Sequence, residues 1–143
     1  MLANDQEKIK IAREYLMRAD KGRPDVLELF HEDAKIYFPK FGFGFGRNSF
    51  PAMVKGFDGV LEYIQHDYDR LNFILSADYL IVEGTSQDRM SGKSWAGGET
   101  PGGRFSNVFR FRDGRISSLH IHLDPDYAGT DEARFRWGKD RKW

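Results

Sequence analysis

The sequence contains no cysteine. Disulfides, thiolate nucleophiles and cysteine-ligated zinc are therefore excluded. Net charge is missing as well, because 22 Lys and Arg face 22 Asp and Glu. Such a chain has no global field for nucleic acid or an anionic membrane, and neither is expected as a partner. No stretch approaches the roughly 18 apolar residues that a membrane span needs. The N-terminal MLANDQEKIK has no apolar core of a secretory signal. The cytoplasm is the expected compartment. There is also no internal repeat, no low-complexity tract and no linker long enough to divide the chain. One domain over residues 1–143 with one core is expected.

Aromatic residues are abundant. They make up 15% of the chain, with 12 Phe. Either the core is unusually aromatic or aromatic rings line a cavity for flat, apolar molecules.

The clearest pattern is GGRFSNVFRFRDGRISSLHIHLDPD, residues 102–126. Phe105, Asn107, Phe109 and Phe111 alternate with polar or branched residues, the period of a strand with one buried face. Leu119, Ile121 and Leu123 repeat it after Asp113-Gly114, a pair that favours hairpin turns through its positive φ. A two-residue turn would pair Asn107 with His120. A three-residue loop with a bulge would pair Arg112 with Ile116, Asn107 with Ile121 and Phe109 with Leu119. The second register gathers the apolar residues on one side and is the one expected. Asn107 is then the single polar group in an apolar row. A buried amide without a partner costs about 1–3 kcal/mol, so a protein group, a water or a ligand should meet it.

Upstream, Asn4 or Asp5 can cap a helix running to about Asp20, with Ile9, Ala12, Tyr15, Leu16 and Ala19 on one broad face. Gly22-Arg23-Pro24 ends it, and VLELFHE reads as a short second helix. AKIYFPK (34–40) reads as a strand. FGFGFG (41–46) reads as a loop, either a mobile flap over a pocket mouth or one whose rings complete the core. Residues 47–66 read as mostly helical. From Asp67 the period is two, with strands at 68–77 and 79–90, a short run at 94–96 and a Gly-rich loop at 97–103. Helices first and antiparallel strands after them define an α+β architecture: a curved antiparallel sheet with N-terminal helices packed on its concave face.

The order of elements, together with FSNVFRFRDGRISSLHIHLDPDYAG and VLELFHEDAKIYFP, resembles the nuclear transport factor 2-like superfamily and its SnoaL-like polyketide cyclase and ketosteroid isomerase branch. The resemblance implies a cone-shaped fold with a pocket between helices and sheet. It places Tyr15 and Asn107 where ketosteroid isomerases hold their two oxyanion donors, a role asparagine can fill. It places Phe38 where their general-base Asp sits, and Ile121 where limonene epoxide hydrolases place an active-site Asp. Neither residue can move a proton.

Three readings follow. One is a module binding a small, apolar, carbonyl-containing molecule, without the usual acidic base and without a cofactor. Phe38, Trp95, Phe105, Phe109, Leu119, Ile121 and Leu123 would line its site. The second is an isomerase, lyase or cyclase in which Tyr15 and Asn107 are the catalytic candidates and Asp88 a possible base. The third is a dimerisation domain with a filled cone. His120 and His122 share a strand face, but a metal needs a third ligand that the spacing does not supply. With Arg110 they are expected on the convex face, where members of the superfamily often form homodimers. The tail YAGTDEARFRWGKDRKW interleaves basic and aromatic residues and is expected to pack on the body or on a second subunit.

Overall fold

The structure, a computed structural model, describes residues 4–123. The tail falls outside the described residues. The order is α1 (Asp5–Asp20), a 3₁₀ turn (Pro24–Leu29), β1 (Phe30–Phe38), β2 (Gly42–Phe45), α2 (Ser49–Lys55), β3 (Leu61–His66), a second 3₁₀ turn (Tyr68–Arg70), β4 (Asn72–Ser76), β5 (Tyr79–Met90), β6 (Lys93–Ala96), β7 (Arg104–Arg112) and β8 (Arg115–Leu123). The architecture is α+β, with a curved, unclosed sheet of eight strands.

Asn4 starts α1 through a reciprocal cap. Its Oδ1 accepts from the Glu7 amide at 2.9 Å, and Glu7 Oε2 accepts from the Asn4 amide at 3.3 Å. The helix stops where Gly22 takes φ +62°. Ala12, Tyr15 and Leu16 are its buried apolar face. Tyr15 packs edge-on against Phe30, Phe50 and Phe109, with ring centroids 5.5–5.9 Å apart. This aromatic cluster ties α1 to the sheet and to α2.

The main path of the sheet is β2-β1-β8-β7-β5-β3, with β4 and β6 also paired to β5. All pairs are antiparallel except β1 with β8. β5 changes partners along its length: Tyr79–Thr85 lies against β7, whereas Ser86–Met90 lies against β3. The sheet therefore turns its far end, with β3 and β6, around the space beside α1.

The hairpin differs from expectation at its turn and agrees beyond it. Asp113 (φ +48°) and Gly114 (φ +73°) form a two-residue turn that pairs Arg112 with Arg115. Phe111 pairs with Ile116 and Arg110 with Ser118, which leaves Ser117 as the extra, bulged residue. Its hydroxyl donates to the Arg110 carbonyl at 3.1 Å. From there Phe109 pairs with Leu119, Asn107 with Ile121 and Phe105 with Leu123. The bulge expected in the loop lies inside β8 instead. It restores the register in which the apolar side chains share a face.

Four other segments differ. VLELFHE is a 3₁₀ turn that passes into β1 at Phe30. FGFGFG is strand rather than flap: Gly42–Phe45 pairs with β1, and Gly44 lies so close to α2 that a Cβ there would stand 2.4 Å from Ser49 Cβ. Residues 47–66 hold only the short α2, and Leu61–His66 is a strand against β5. Residues 68–77 open with a 3₁₀ turn before β4. No helix of the described residues is long and apolar enough to cross a membrane.

Candidate functional site

A cavity of about 190 Å³ lies between α1, α2 and the sheet. Phe38, Phe50, Met53, Phe57, Leu61 and Ile64 form an apolar wall. Tyr15, Asp20, His66, Ser86, Asp88 and Asn107 bring polar atoms to the lining.

Of the residues singled out in the sequence, Tyr15, Phe38, Trp95, Phe105, Asn107, Ile121 and Leu123 line this cavity. Phe109 and Leu119 do not. Both are fully buried in the core, Phe109 edge-on to the Tyr15 ring at 5.5 Å. They share a face with Asn107 but sit nearer the hairpin turn, where α1 and Phe30 have already filled the space. Trp95 is 6% exposed, and the loop after it closes down on its indole. A Cβ on Gly102, which has φ +85°, would stand 2.6 Å from Trp95 Cδ1.

Asn107 is 2% exposed, and its Oδ1 has no hydrogen-bond partner among the described residues. Its cross-strand neighbours, Val82 and Ile121, offer no polar side chain. Tyr15 is 4% exposed. Burial, and after it the nearby Asp20 carboxylate, pushes its phenol well above the usual range. It is a standing hydrogen-bond donor at neutral pH.

The sequence reading missed a group at the junction of α1 and β3. Asp20, the last residue of α1, has a side chain only 3% exposed. Three donors converge on it. His66 Nδ1 stands 2.6 Å from Oδ1, the His66 amide donates to Oδ2 at 2.9 Å, and the Tyr68 hydroxyl donates to Oδ2 at 2.6 Å. An ionised carboxylate only accepts, so the Nδ1 facing it carries a proton. In the neutral form of such a ring Nε2 is the nitrogen with the lone pair, and the His66 ring is braced edge-on by Phe105 at 4.7 Å. Tyr68 is held protonated, first by burial and then by its bond to Asp20. Asp67 accepts from the Thr85 hydroxyl at 2.5 Å and pins the end of β3 to β5. The misread helix over 47–66 hid this arrangement. Ile64 and His66, two apart and both facing the cavity, were its sequence signal.

Asp88 also lines the cavity and accepts from the Ser86 hydroxyl at 2.7 Å. Among the described residues no cluster of three His, Cys, Asp or Glu side chains is placed to hold a metal ion. His120 and His122 are on the opposite face of β8, where both pack on Tyr37 and His120 also on Phe43, at centroid distances of 5.6–6.1 Å. Arg110 lies on that face too, bonded to Asp78 at 2.7 Å.

A SnoaL-like domain model matches residues 12–119. The chain belongs to that family. Its fold is similar to that of a nuclear transport factor 2-like protein of unknown function from Burkholderia pseudomallei, with TM-score 0.70, 20% identity, and coverage of 82% of this chain and 91% of that one. It is similar to TerC, crystallised with polyporic acid, at TM-score 0.70 and 16% identity, covering 82% and 92%. A candidate polyketide cyclase from Xanthomonas campestris pv. campestris gives TM-score 0.69 and 14% identity, covering 83% and 91%. No curated protein matches the chain.

Proposed function

We propose that the cavity binds a small, apolar carbonyl compound, and that His66 removes a proton from the carbon beside the carbonyl. One observation carries this reading: a histidine oriented by a buried carboxylate lines the same cavity as Tyr15 and Asn107. His66 would accept the proton at Nε2. Tyr15 and the Asn107 amide would donate to the oxygen as it gains charge. Proton removal next to a carbonyl is the first step of enolising isomerases, of lyases that eliminate β to a carbonyl and of aldol cyclases. With Phe38 and Ile121 at two positions where relatives carry acids, binding without chemistry was the simpler expectation. His66 supplies the base that those positions lack.

The apolar wall fits this class of ligand. An apolar protein cavity of about 150 Å³ is known to admit benzene, so about 190 Å³ suits a one-ring compound, or two rings if one extends through the mouth. TerC, with polyporic acid, is a similar fold that takes up an organic molecule.

The test is exchange of the methyl protons of acetophenone in D₂O, followed by NMR. The native protein should accelerate exchange, and His66→Gln should lose about a hundredfold or more of that rate. Uptake of the ketone with no acceleration would leave a binding module and remove the enzyme.

A further inference from the structure

We infer that the natural occupant carries a hydroxyl beside its carbonyl, and that the Asn107 side-chain amide holds both. This rests on the reading that the cavity takes a carbonyl compound. It is carried by the unpartnered Oδ1 of Asn107, which lies in the cavity lining at 2% residue exposure.

A simple ketone only accepts hydrogen bonds. It could satisfy the Tyr15 hydroxyl and the Asn107 NH₂, both donors, but it leaves Oδ1 buried and unpaired. The two neighbouring strands offer Oδ1 nothing, since Val82 and Ile121 flank it. An amide presents one donor and one acceptor side by side, and rotating it by half a turn only exchanges them. Its complement is a ligand edge with an adjacent acceptor and donor. An α-hydroxy ketone has that edge: the carbonyl accepts from Nδ2 while the hydroxyl donates to Oδ1.

The geometry also separates roles along the cavity. Asn107 pairs across to Val82 on β5, and His66 pairs with Ser86 farther along the same strand. The ligand's polar edge therefore lies toward Asn107, with its ring against Phe38, Met53 and Phe57. The His66 ring packs at 4.7 Å on that of Phe105, which is two positions from Asn107 on the same face of β7.

The probes are acetophenone, α-hydroxyacetophenone and α-methoxyacetophenone, titrated into the native protein and followed by NMR. Leaving a buried acceptor unpaired corresponds to about a tenfold weaker dissociation constant, or more. The hydroxy ketone should bind at least about tenfold tighter than acetophenone. The methoxy ketone keeps both oxygens but has no hydroxyl hydrogen, so it should bind no better than acetophenone. In Asn107→Leu the hydroxy preference should fall to about one. Equal binding of the hydroxy and plain ketones, equal binding of the hydroxy and methoxy ketones, or a preference that survives Asn107→Leu would overturn the inference. Should the leucine variant not fold, the three native affinities decide alone. The two ideas fail separately. Equal binding with proton exchange intact removes the hydroxyl and keeps the base. A clear hydroxy preference without exchange keeps Asn107's role and removes His66's.

Discussion

Asp20 Oδ1 stands 2.6 Å from His66 Nδ1 across 46 positions of sequence. The contact joins the end of α1 to the end of β3, so the helix and the bent part of the sheet share one buried carboxylate. Removing that carboxylate leaves up to three donors to find other partners. Asp20→Ala should destabilise the fold by about 2–4 kcal/mol, read from urea denaturation, and should abolish ketone proton exchange. Asp20→Asn keeps the shape but offers only one acceptor oxygen. It should lose exchange as fully as His66→Gln while costing less stability. A fully active asparagine variant would show that the carboxylate does not orient the imidazole.

Tyr15 makes stability depend on alkaline pH. Burial, then Asp20, raises its phenol above the ordinary value of 10.0. The unfolded chain therefore releases that proton first as pH rises. Between the unfolded and folded values the native state holds more protons, so the slope of unfolding free energy against pH is negative. Stability should be constant from pH 8 to about 10, then fall by at most about 1.4 kcal/mol per pH unit from this residue. Tyr68 shifts in the same direction through burial and its Asp20 bond. Tyr15→Phe should flatten the fall above pH 10, measured as the urea midpoint at fixed ionic strength. An unchanged slope in that variant would assign the alkaline loss to other groups.

The convex face behaves in the opposite sense. Burial first, then Lys35 and His122, lowers the His120 imidazole below its ordinary value of 6.5. The unfolded chain takes up the proton first as pH falls, so this contribution to stability is present above about pH 6.5 and lost below it. His120→Gln should reduce the acid sensitivity between pH 6.5 and 5. Tyr37, Phe43 and His122 surround the ring, and this is the face where we expect a second copy to dock. The docked form should weaken in the same interval as the His120 imidazole charges. Light scattering that gives a monomer at pH 8, or the same dimer mass at pH 8 and 5.5, would dispose of that expectation.

Legibility in the sequence followed the strength of local pattern. Phe105 to Leu123 could be read because alternation repeats on both sides of Asp113-Gly114, and only one register buries Phe109 and Ile121 together. Asn107 stood out because it interrupts an apolar row. β3 could not be read the same way. Phe57, Val60, Leu61 and Ile64 fit a helical spacing, and the register shift between Leu61 and Tyr63 breaks the alternation that would have marked a strand. The pairing with β5, a tertiary effect, decided the conformation. His66 was lost with it. Asp20 was legible as a helix end, but its partner lies on a segment assigned to the wrong class. Phe109 and Leu119 were placed on the correct face but at the wrong depth. Depth depends on what α1 covers, and strand alternation does not carry that.

The bulge in β8 yields the sharpest test of how the register is set. Ser117 is the one residue of β8 (Arg115–Leu123) without a partner on β7, between Phe111–Ile116 on one side and Arg110–Ser118 on the other. Deleting Ser117 closes the gap and leaves each of those pairs intact. Leu119 and Ile121 stay on the buried face, and His120 and His122 stay outside. The cost should be about 1–2 kcal/mol, from the lost bond to the Arg110 carbonyl and a change in local twist. Deleting His120 instead shifts everything beyond it by one residue. It carries His122 to the buried side and Ile121 to the outer one, which flips the end of the strand that lines the cavity. That variant should be largely unfolded or unable to take up a ketone, whereas the Ser117 deletion should keep both the fold and ketone uptake. Amide NMR spectra of the two variants give the comparison. Equal damage from both deletions would mean that the bulge is required for the fold and does more than absorb one extra residue.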